Sequence, residues 1–421
     1  MTIIRAGDRQ LIKELNIALA LNVIRQHEPI SRIEIAEQTG LGRSTITGII
    51  NILIKEGLVR ESGNADSPAG RKPVLLTFNA RALFAIGVKI GPRSASVALV
   101  DMSANVCHTL EIPLFPSRGA EDMLAGIKQA IEETIAGGGI AKEKLLGIGL
   151  VMPGVVNPAT GTAVTSYFLG WADFPIRDLL EKELEVPVYV DNDANAMALA
   201  EALYGAGRGA PDLLALTVGV GIGAGVIING QIHRGARFSA GELGHNCVMR
   251  DGPPCACGRN GCLEALAGDA AVVRRAREEV AAGRSDQLRA MVQGHPDLIT
   301  REAVVEAAKE GDEAARAVLA ESGRWLGIAV GNAINLLSPS QIVVGGEAVL
   351  QAGDLILGPM RETLSAVVFP SMPDDLKVVP AALGSNAWVL GAAALVLADV
   401  FQVPLHEDNT LAMARRVGQP S

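Results

Sequence analysis

The sequence predicts an α/β protein in which an N-terminal winged helix-turn-helix precedes a two-lobed body. Apolar residues recur at helical spacing in the first part of the chain, strands and helices alternate from about Leu83 onward, and one strand-turn-strand pattern occurs twice. A chain of 421 residues is long enough for two or three domains. We therefore expect a head at residues 1–79, a body at 80–405 and a C-terminal tail at 406–421.

The first helix of the head is predicted from Arg9 to about Gln26. A capping-box pattern, S-x-x-E from Ser31 to Glu34, then starts a second helix that reaches about Thr39. The apolar residues expected to form the buried face of the first helix are Ile12, Leu15, Leu19 and Val23.

The third helix follows the turn Gly40-Leu41-Gly42 and is predicted from Arg43 to Glu56. Polar side chains on its outward face can reach phosphates and base edges when such a helix lies in a major groove. The apolar residues of its buried face are Ile46, Ile49, Ile50 and Leu53. The candidate DNA-contacting residues are Arg43, Ser44, Thr45, Thr47 and Asn51.

A wing of two strands is predicted at residues 57–59 and 73–78, and Arg71 and Lys72 at its tip can enter a minor groove. The alternative is a plain three-helix bundle with a solvated loop. The order of a capped short helix, a glycine turn, a polar-faced helix and a hairpin favours DNA binding. The charge distribution agrees, because the head carries a net charge of +2 while the rest of the chain carries −11.

A loop rich in glycine and proline contains one histidine and three of the five cysteines. Thiolate and imidazole are the ligands that zinc prefers, and no place for a catalytic water is evident. We therefore predict one structural zinc ion (Zn2+) per chain, bound by His245, Cys255, Cys257 and Cys262.

Two other interpretations of these cysteines are weaker. Buried free thiols are common, but three cysteines within eight residues of a glycine-rich loop are not a core pattern. A disulfide is disfavoured because the N-terminus has no long apolar segment typical of a signal peptide, so we expect a cytoplasmic protein. We also expect no membrane span. Cys107 and Cys247 are interpreted as plain thiols, although Cys247 is close enough to be a rival ligand.

Two glycine-bearing hairpins, at residues 84–101 and 214–229, resemble each other. Duplicated lobes that open with such a hairpin resemble the fold of sugar kinases, heat-shock proteins and actin, although glycine turns also serve as ordinary hairpins. In that fold the glycine turns let backbone amides approach phosphates. We expect a small lobe at about 80–190, completed by a C-terminal helix at about 385–405, and a large lobe at about 191–384.

Longer motifs carry a more specific resemblance. GELGH is followed by C-x-C-G-x-x-G-C-x-E. These two motifs, together with the four named at the end of this paragraph, resemble in content and order the signature of the ROK family of repressors, open reading frames and kinases. The resemblance covers nearly the whole chain, and the GRKP wing tip is similar to that of the repressor branch. The other matching motifs are LVMPGVVNPATG (150–161), VDNDANAMALAE (190–201), TVGVGIGAGVIINGQI (217–232) and IVVGGEAV (342–349).

The resemblance implies a sugar pocket. In ROK kinases an Asn-Asp pair lies on the sugar and the Asp is the base, which corresponds here to Asn192 and Asp193. The family's two sugar-binding carboxylates correspond to Glu242 and Glu264, and His245 would offer one ring nitrogen to zinc and the other to sugar. Asp193 or Glu264 alone could equally be a helix cap or a salt-bridge partner.

The phosphate side departs from the family's kinases. Where they have a D-x-G-G-T-like turn, this chain has Lys89-Ile-Gly-Pro-Arg93. Lysine therefore replaces the carboxylate that would serve the metal, and Pro92 removes an amide donor. Val220 stands where the kinases usually have threonine. We expect that sugar binding persists and that ATP-dependent transfer is lost, with Asp193 as the kinase-base equivalent.

These observations predict a sugar-responsive regulator, in the simplest case a repressor of carbohydrate uptake or catabolism genes. It would act as a homodimer or homotetramer on double-stranded operator DNA, with a sugar or sugar phosphate bound between the lobes. Val155 and Tyr167 lie where sugar contacts vary among relatives. Two rival hypotheses are an ATP-dependent sugar kinase with an appended head, and a constitutive DNA-binding protein whose body only dimerises.

Overall fold

The computed structural model describes residues 9–64, 73–370 and 376–401, and its N-terminal part is a winged helix-turn-helix. In the small sheet of this head, β1 and β2 both pair with β3 in antiparallel register. Arg71, Lys72 and the tail at 406–421 lie outside the described residues. The elements of the head are α1 (Arg9–His27), β1 (Ile30–Ser31), α2 (Arg32–Thr39), α3 (Arg43–Lys55), β2 (Val59–Asn64) and β3 (Val74–Phe78).

The second helix begins with the predicted capping box. The Ser31 hydroxyl accepts from the Glu34 amide at 3.3 Å, and the Glu34 carboxylate accepts from the Ser31 amide at 2.8 Å. These two bonds satisfy amides that the first turn of a helix leaves unpaired. Gly40 ends α2 with φ +69°, a left-handed conformation that favours glycine. The α3 prediction is confirmed, including its buried face of Ile46, Ile49, Ile50 and Leu53.

The predicted buried face of α1 is wrong. The side chains of Ile12, Leu15 and Leu19 are 53%, 46% and 41% exposed, and Val23 is only partly buried. The helix instead packs through another stripe, because the elements around it, including α2, α3, β3 and the helix α14 (Ala387–Phe401), lie on that side. Apolar residues occur around most of this helix, so periodicity could not decide which stripe is buried. The fully buried side chains of α1 are Ala20, Leu21 and Ile24.

The first lobe is built on a five-stranded sheet with the order β11-β7-β4-β5-β6. β4 and β5 form the predicted hairpin, and β7 and β11 continue the sheet in parallel from β4. A small three-stranded sheet of β8, β9 and β10 lies beside it. The elements are β4 (Phe84–Ile90), β5 (Ser94–Asp101), β6 (Val106–Pro113), α4 (Ala120–Gly137), β7 (Leu145–Met152), β8 (Val155–Asn157), β9 (Thr162–Ser166), β10 (Trp171–Phe174), α5 (Ile176–Leu184) and β11 (Val188–Asn192).

The second lobe repeats this topology, with the strand order β14-β13-β12-β15-β16. β12 and β13 form the second hairpin, and β15 and β16 extend the sheet in parallel, as β7 and β11 do. The duplication predicted from the two hairpins is therefore present in both sheets. The elements are α6 (Asp193–Tyr204), β12 (Leu213–Val218), β13 (Ile222–Ile228), β14 (Gln231–Ile232), α7 (Leu263–Ala267), α8 (Asp269–Ala281), α9 (Asp286–Met291), α10 (Arg301–Lys309), α11 (Glu313–Leu337), β15 (Gln341–Gly345), α12 (Glu347–Ala352), α13 (Asp354–Val367) and β16 (Lys377–Pro380).

The last described helix, α14 (Ala387–Phe401), returns from the second lobe and packs on the first-lobe sheet and on α6. Gly87 and Gly149 allow this close approach, since a Cβ on either would lie within 2.0 Å of a backbone oxygen of α14. The C-terminal end of α14 belongs to the same apolar core as the head. Among the helices of the described ranges, none is both long and apolar enough to cross a membrane.

Candidate functional site

A cavity of about 190 Å³ opens where both glycine hairpins meet the start of α6 and the cysteine-containing loop. Its wall includes the ends of β4 and β12, the tip of the β12–β13 turn, and Trp388 of α14. Val155 and Tyr167 lie at its rim, on the first-lobe side. The cavity wall brings together all five residues predicted to bind sugar: Asn192, Asp193, Glu242, His245 and Glu264.

Asn192 and Asp193 lie at the junction between β11 and α6. Asn192 is the N-cap of the helix, where its Oδ1 accepts from the amides of Ala194 at 2.8 Å and Asn195 at 3.2 Å. Its Nδ2 donates to the carbonyl of Gly154 at 2.9 Å. Asn192 is thus held by backbone groups on both sides, and it fixes the start of α6 so that Asp193 faces the cavity.

The carboxyl groups of Asp193 and Glu242 share the cavity wall, where each residue is partly buried. Burial raises the pKa of Asp193, an effect that the nearby ammonium of Lys89 opposes. Burial also raises the pKa of Glu242, which His245 lowers and the neighbouring Asp193 and Glu264 carboxylates raise further. Closely spaced, desolvated carboxyl groups are costly to ionise, so they are expected where a ligand supplies hydrogen-bond donors.

Glu264 joins the cysteine-containing loop to the second glycine hairpin. Its Oε2 accepts from the amide of Ile222 at 3.0 Å, and its Oε1 lies 3.9 Å from Sγ of Cys255. The side chain therefore contacts a candidate metal ligand and the glycine turn at the same time. Removing Glu264 would disturb both neighbours, whereas Glu242 lies 3.9 Å from Nε2 of His245 and has a partly exposed side chain.

Four side chains form a group that could hold a metal ion: His245, Cys255, Cys257 and Cys262. Their ligand atoms all lie within 4.8 Å of one another. The Sγ of Cys255 is 3.7 Å from Nδ1 of His245, and the sulfurs of Cys257 and Cys262 are also 3.7 Å apart. A tetrahedral ion about 2.3 Å from each sulfur would separate the sulfurs by roughly 3.8 Å, so the geometry fits the predicted group.

The other two thiols are not members of this group, although the backbone of Cys247 pairs with that of Cys262 in an isolated β-bridge. Cys247 is exposed and lies 3.6 Å from the carbonyl of Met249, and Cys107 is exposed on the first lobe. Within the group, burial would raise the pKa of the Cys257 thiol, but the backbone of Arg259 and the neighbouring thiols lower it to about 7. Burial raises the pKa of the Cys255 thiol and raises that of Cys262 to about 12, so Cys257 is the thiol of the group that ionises first.

One polar contact near the cavity was not predicted from the sequence. Asp191, at the end of β11, is buried and pairs with Arg234 beyond β14, with Nε 3.0 Å from Oδ2. Its other oxygen accepts from Asn195 Nδ2 at 3.0 Å and from the Asn192 amide at 2.8 Å. The pair ties the first-lobe sheet to the second lobe just behind Asp193. The sequence contained a signal for this contact, since the buried strand β11 ends in the polar residues Asp191 and Asn192.

The end of the cavity at the β4–β5 turn, where the family resemblance predicts a phosphate site, differs in composition from the end at Asp193 and Glu242, where it predicts a sugar site. Lys89 extends from β4 with its Nζ 3.8 Å from the centroid of the Trp388 ring. Pro92 also lines the cavity, while Arg93 is exposed and does not. Trp388 was not predicted, because a tryptophan in an apolar helix has the same sequence pattern as an ordinary core residue.

The candidate DNA-contacting surface is the outward face of α3. All five predicted side chains on this helix are exposed, opposite the four buried apolar residues. The Thr47 hydroxyl donates to the carbonyl of Arg43 at 2.9 Å, which leaves its oxygen lone pairs toward solvent. Arg43, Ser44 and Thr45 form the first turn of α3, the part that reaches base edges in helix-turn-helix proteins.

The fold and the cavity define a sugar-kinase-like body joined to a winged helix-turn-helix head. Residues 85–399 match the family model described as ROK family, and residues 17–67 match the one described as MarR family. The chain belongs to the ROK family, and it combines the ROK body with a MarR-type head.

Similar proteins include both regulators and kinases. The xylose repressor of Caldicellulosiruptor bescii is 32% identical over 398 residues, covering 94% of this chain and 99% of the repressor. A glucokinase of Halalkalibacterium halodurans is 36% identical over 312 residues, covering 74% of this chain and 94% of the kinase. A solved ROK family transcriptional regulator, a homolog of the E. coli MLC protein, matches with a TM-score of 0.79 and 27% identity, covering 97% of this chain and 100% of that one. The regulators align along the head as well as the body, which places the chain in the repressor branch.

Proposed function

We propose that this protein is a sugar-responsive, DNA-binding transcriptional regulator of the cytoplasm, and that it represses genes of carbohydrate uptake or catabolism. The observation that carries the proposal is the combination of two surfaces in one chain. The cavity keeps the sugar-side carboxylates, Asp193, Glu242 and Glu264, while the head presents an exposed polar face on α3. A relative named as a repressor aligns over 94% of this chain, and a solved transcriptional regulator aligns over 97% of it, so both matches include the head and the body.

The head binds double-stranded DNA through the first turn of α3. Arg43, Ser44 and Thr47 contact the major groove, and the exposed side chains of Thr45 and Asn51 contact phosphates or base edges beside them. Arg71 and Lys72 of the wing tip enter the minor groove. Two heads of a homodimer, or of a homotetramer, would read the two halves of a palindromic site.

The sugar binds in the cavity, where each polar group takes a separate part. Asp193, Glu242 and Glu264 accept hydrogen bonds from sugar hydroxyls, and His245 offers Nε2, which points toward Glu242. Asn192 positions Asp193 as the N-cap of α6 and adds its exposed atoms to the wall. The small cavity volume favours a monosaccharide over a larger ligand.

The metal is a structural zinc ion held by His245, Cys255, Cys257 and Cys262. When bound, zinc cross-links a loop with few apolar contacts and fixes the ring orientation of His245. The nitrogen nearer the thiols is Nδ1, which leaves Nε2 for the cavity. The metal thus stabilises the sugar site through His245 and takes no direct part in any chemical step.

The residues at the predicted phosphate site favour a regulator over a kinase. A kinase needs a carboxylate for its metal and free backbone amides for phosphate, and here Lys89 and Pro92 occupy those positions. The second candidate, an ATP-dependent sugar kinase, is favoured by Asp193, which retains the position of the base, and by the glucokinase relative. Phosphorylation of a hexose by ATP that is lost in Asp193→Asn would establish that candidate instead.

Sugar binding between the lobes shifts their relative angle, and the dimer converts that shift into a change in the spacing of the two heads. Such a switch requires the sugar to bind one lobe arrangement more tightly than the other. The constitutive DNA-binding alternative predicts no effect of any sugar on DNA affinity.

The test is DNA binding by the full-length protein, with a duplex selected from a randomised pool, in the presence and absence of glucose, xylose and N-acetylglucosamine. Glu242→Gln is the informative variant, because Glu264 also bonds to Ile222. Loss of one charged acceptor should weaken sugar binding by roughly ten- to a hundredfold. DNA affinity without sugar should stay unchanged.

A matched control is Glu362→Gln, which removes an exposed carboxylate from α13 outside the cavity. The control should respond to sugar like the wild type. A Glu242→Gln variant that responds at the wild-type sugar concentration would show that this cavity is not the sensor.

A further inference from the structure

A buried ion pair joins the two lobes behind the cavity. Arg234 follows β14 in the second lobe, and its guanidinium lies against the carboxylate of Asp191 at the end of β11 in the first lobe. The two side chains are only 9% and 1% exposed. Within the described residues, the cavity wall includes neither of them. Because desolvation of two charges offsets much of their attraction, such a pair is weak evidence for a role in stability alone.

The two oxygens of the Asp191 carboxylate have different partners. Oδ2 accepts from Nε of Arg234 at 3.0 Å, and Nη2 of the same guanidinium also donates to it. Oδ1 accepts from the backbone amide of Asn192 at 2.8 Å and from Nδ2 of Asn195 at 3.0 Å. A planar guanidinium that donates twice fixes the orientation of the carboxylate. The carboxylate thus connects Arg234 to the first turn of α6, which carries Asp193.

Arg234 is also connected to Glu242, in this case through the backbone. The Arg234 carbonyl accepts from the amide of Ala240 at 3.1 Å, which closes the loop that leads to Glu242. The next carbonyl, of Gly241, accepts from the amide of Ala224 at 2.9 Å. A Cβ on Gly241 would lie 1.8 Å from the Ala224 oxygen, so this segment packs closely against β13. The backbone that carries Glu242 is therefore held in place on the second-lobe side.

Arg234 thus has a contact with both segments that carry carboxyl groups of the cavity wall. A sugar presents its hydroxyls at fixed separations, and hydrogen bonds weaken steeply when an acceptor is displaced. The spacing between Asp193 and Glu242 must therefore be maintained for both to bind one sugar. Substitution of the Arg234 side chain would remove the connection to Asp193 and leave the backbone connection to Glu242.

We propose that Arg234 is a positioning residue, which holds Asp193 at the distance from Glu242 that a bound sugar requires. The inference rests on the proposed sugar-binding function. It assigns part of the sugar affinity to a residue that does not line the cavity. Arg234 acts through the carboxylate of Asp191 and through Asn192, the N-cap residue of α6.

The experiment is calorimetry on the full-length protein with glucose, xylose and N-acetylglucosamine, at a temperature where every variant is fully folded. Arg234→Met removes the guanidinium and keeps an apolar stem. Asp191→Asn keeps an oxygen for the Asn192 amide but places an NH2 group against the guanidinium. Each variant should bind the sugar about tenfold more weakly than the wild type does. Each should also melt at a lower temperature, because a buried charge loses the partner that it faces.

The double variant separates positioning from stability. Arg234→Met combined with Asp191→Asn removes both buried charges, so its melting temperature should return toward that of the wild type. The connection between the lobes is still absent, so its sugar affinity should stay about tenfold weaker, as in each single variant. Arg234→Lys keeps the charge and one donor, so it should restore part of the affinity. Wild-type sugar affinity in the double variant, or in folded Arg234→Met, would overturn the proposal.

Arg284→Met is the matched control. Its guanidinium pairs with Glu279 of α8 at 2.6 Å, and neither residue is among those that line the described cavity wall. Sugar affinity in this variant should equal that of the wild type, and a tenfold loss here would overturn the assignment to Arg234. Failure of the wild type to bind any of the three sugars would be a different result, because it would contradict the proposed sugar-binding function and this assignment together.

Discussion

Trp388 and Phe401 lie on the same helix, α14, with Trp388 in the wall of the cavity and Phe401 in the core of the head. The Phe401 ring lies 4.3 Å from the guanidinium of Arg25 and 6.3 Å from the ring of Phe78. Its carbonyl accepts from Asn22 Nδ2 at 3.1 Å. A helix of this length spans roughly 20 Å between the two aromatic residues, so one rigid element connects the cavity wall with the core of the head.

This relationship predicts that Phe401→Leu uncouples DNA binding from sugar binding. Leucine keeps an apolar side chain but loses the ring contacts with Arg25 and Phe78. The sugar-induced change in DNA affinity should fall by about 0.5–2 kcal/mol, while sugar affinity should change little. Titrations of DNA with and without sugar measure the difference. Phe369→Leu, at an exposed phenylalanine outside both surfaces, is the control, and an equal loss there would refute a special role of α14.

The metal site predicts that Cys257→Ser loses zinc and stability together. The loop around it has few apolar side chains, so a bound metal would add a cross-link to a segment that is otherwise held mainly by backbone hydrogen bonds. Metal analysis should show less than one zinc per chain, and the melting temperature should fall. Cys247→Ser is the matched control, since that thiol is exposed and lies outside the group. Full occupancy in Cys257→Ser, or metal loss only in Cys247→Ser, would mean that the ligand set is wrong.

The exposed first turn of α3 predicts that Arg43→Ala weakens DNA binding. A cation near phosphates releases about one counterion on binding, so the slope of log affinity against log salt should become shallower by roughly one. Fluorescence anisotropy over a salt series measures both quantities. Lys142→Ala removes one exposed cation from the body and should leave both unchanged. If the two variants lost DNA affinity and salt dependence to the same extent, the loss would reflect the total charge of the protein and not a contact made by α3.

Burial of Asp193 predicts that Asp193→Asn stabilises the sugar-free protein. Because burial raises the pKa of this carboxyl group in the folded state, its ionisation opposes folding. This destabilisation is absent below the unfolded-state pKa, grows as the pH rises from that value to the folded-state pKa, and is constant above it. The gain in melting temperature should therefore be larger at about pH 8 than at about pH 5.

The same variant should lose the stabilisation that sugar gives the wild type, since the charged acceptor is gone. Asp297→Asn, at an exposed aspartate, controls for a general effect of removing one negative charge. A lower melting temperature for sugar-free Asp193→Asn than for the wild type at both pH values would show that the carboxylate is stabilising, contrary to this argument.

The sequence determined the features that depend on short-range chemistry. The capping box at Ser31, the buried stripe of α3 and the two glycine hairpins were predicted because each depends on residues close together in the chain. The group of His245 with three cysteines was predicted for the same reason, since most of its ligands lie in one loop. Each of these patterns is compatible with few alternative structures, so the spacing of the residues was sufficient to predict the structure.

Only the tertiary structure decided which of several equivalent surfaces are buried and which residues meet across the chain. Apolar side chains surround much of α1, and its buried stripe was set by contact with distant elements such as α14. Lys89 and Trp388 are far apart in sequence, and they meet because α14 packs on the glycines of the first-lobe sheet. Such contacts follow from the packing of whole elements, and no local pattern of residues encodes them.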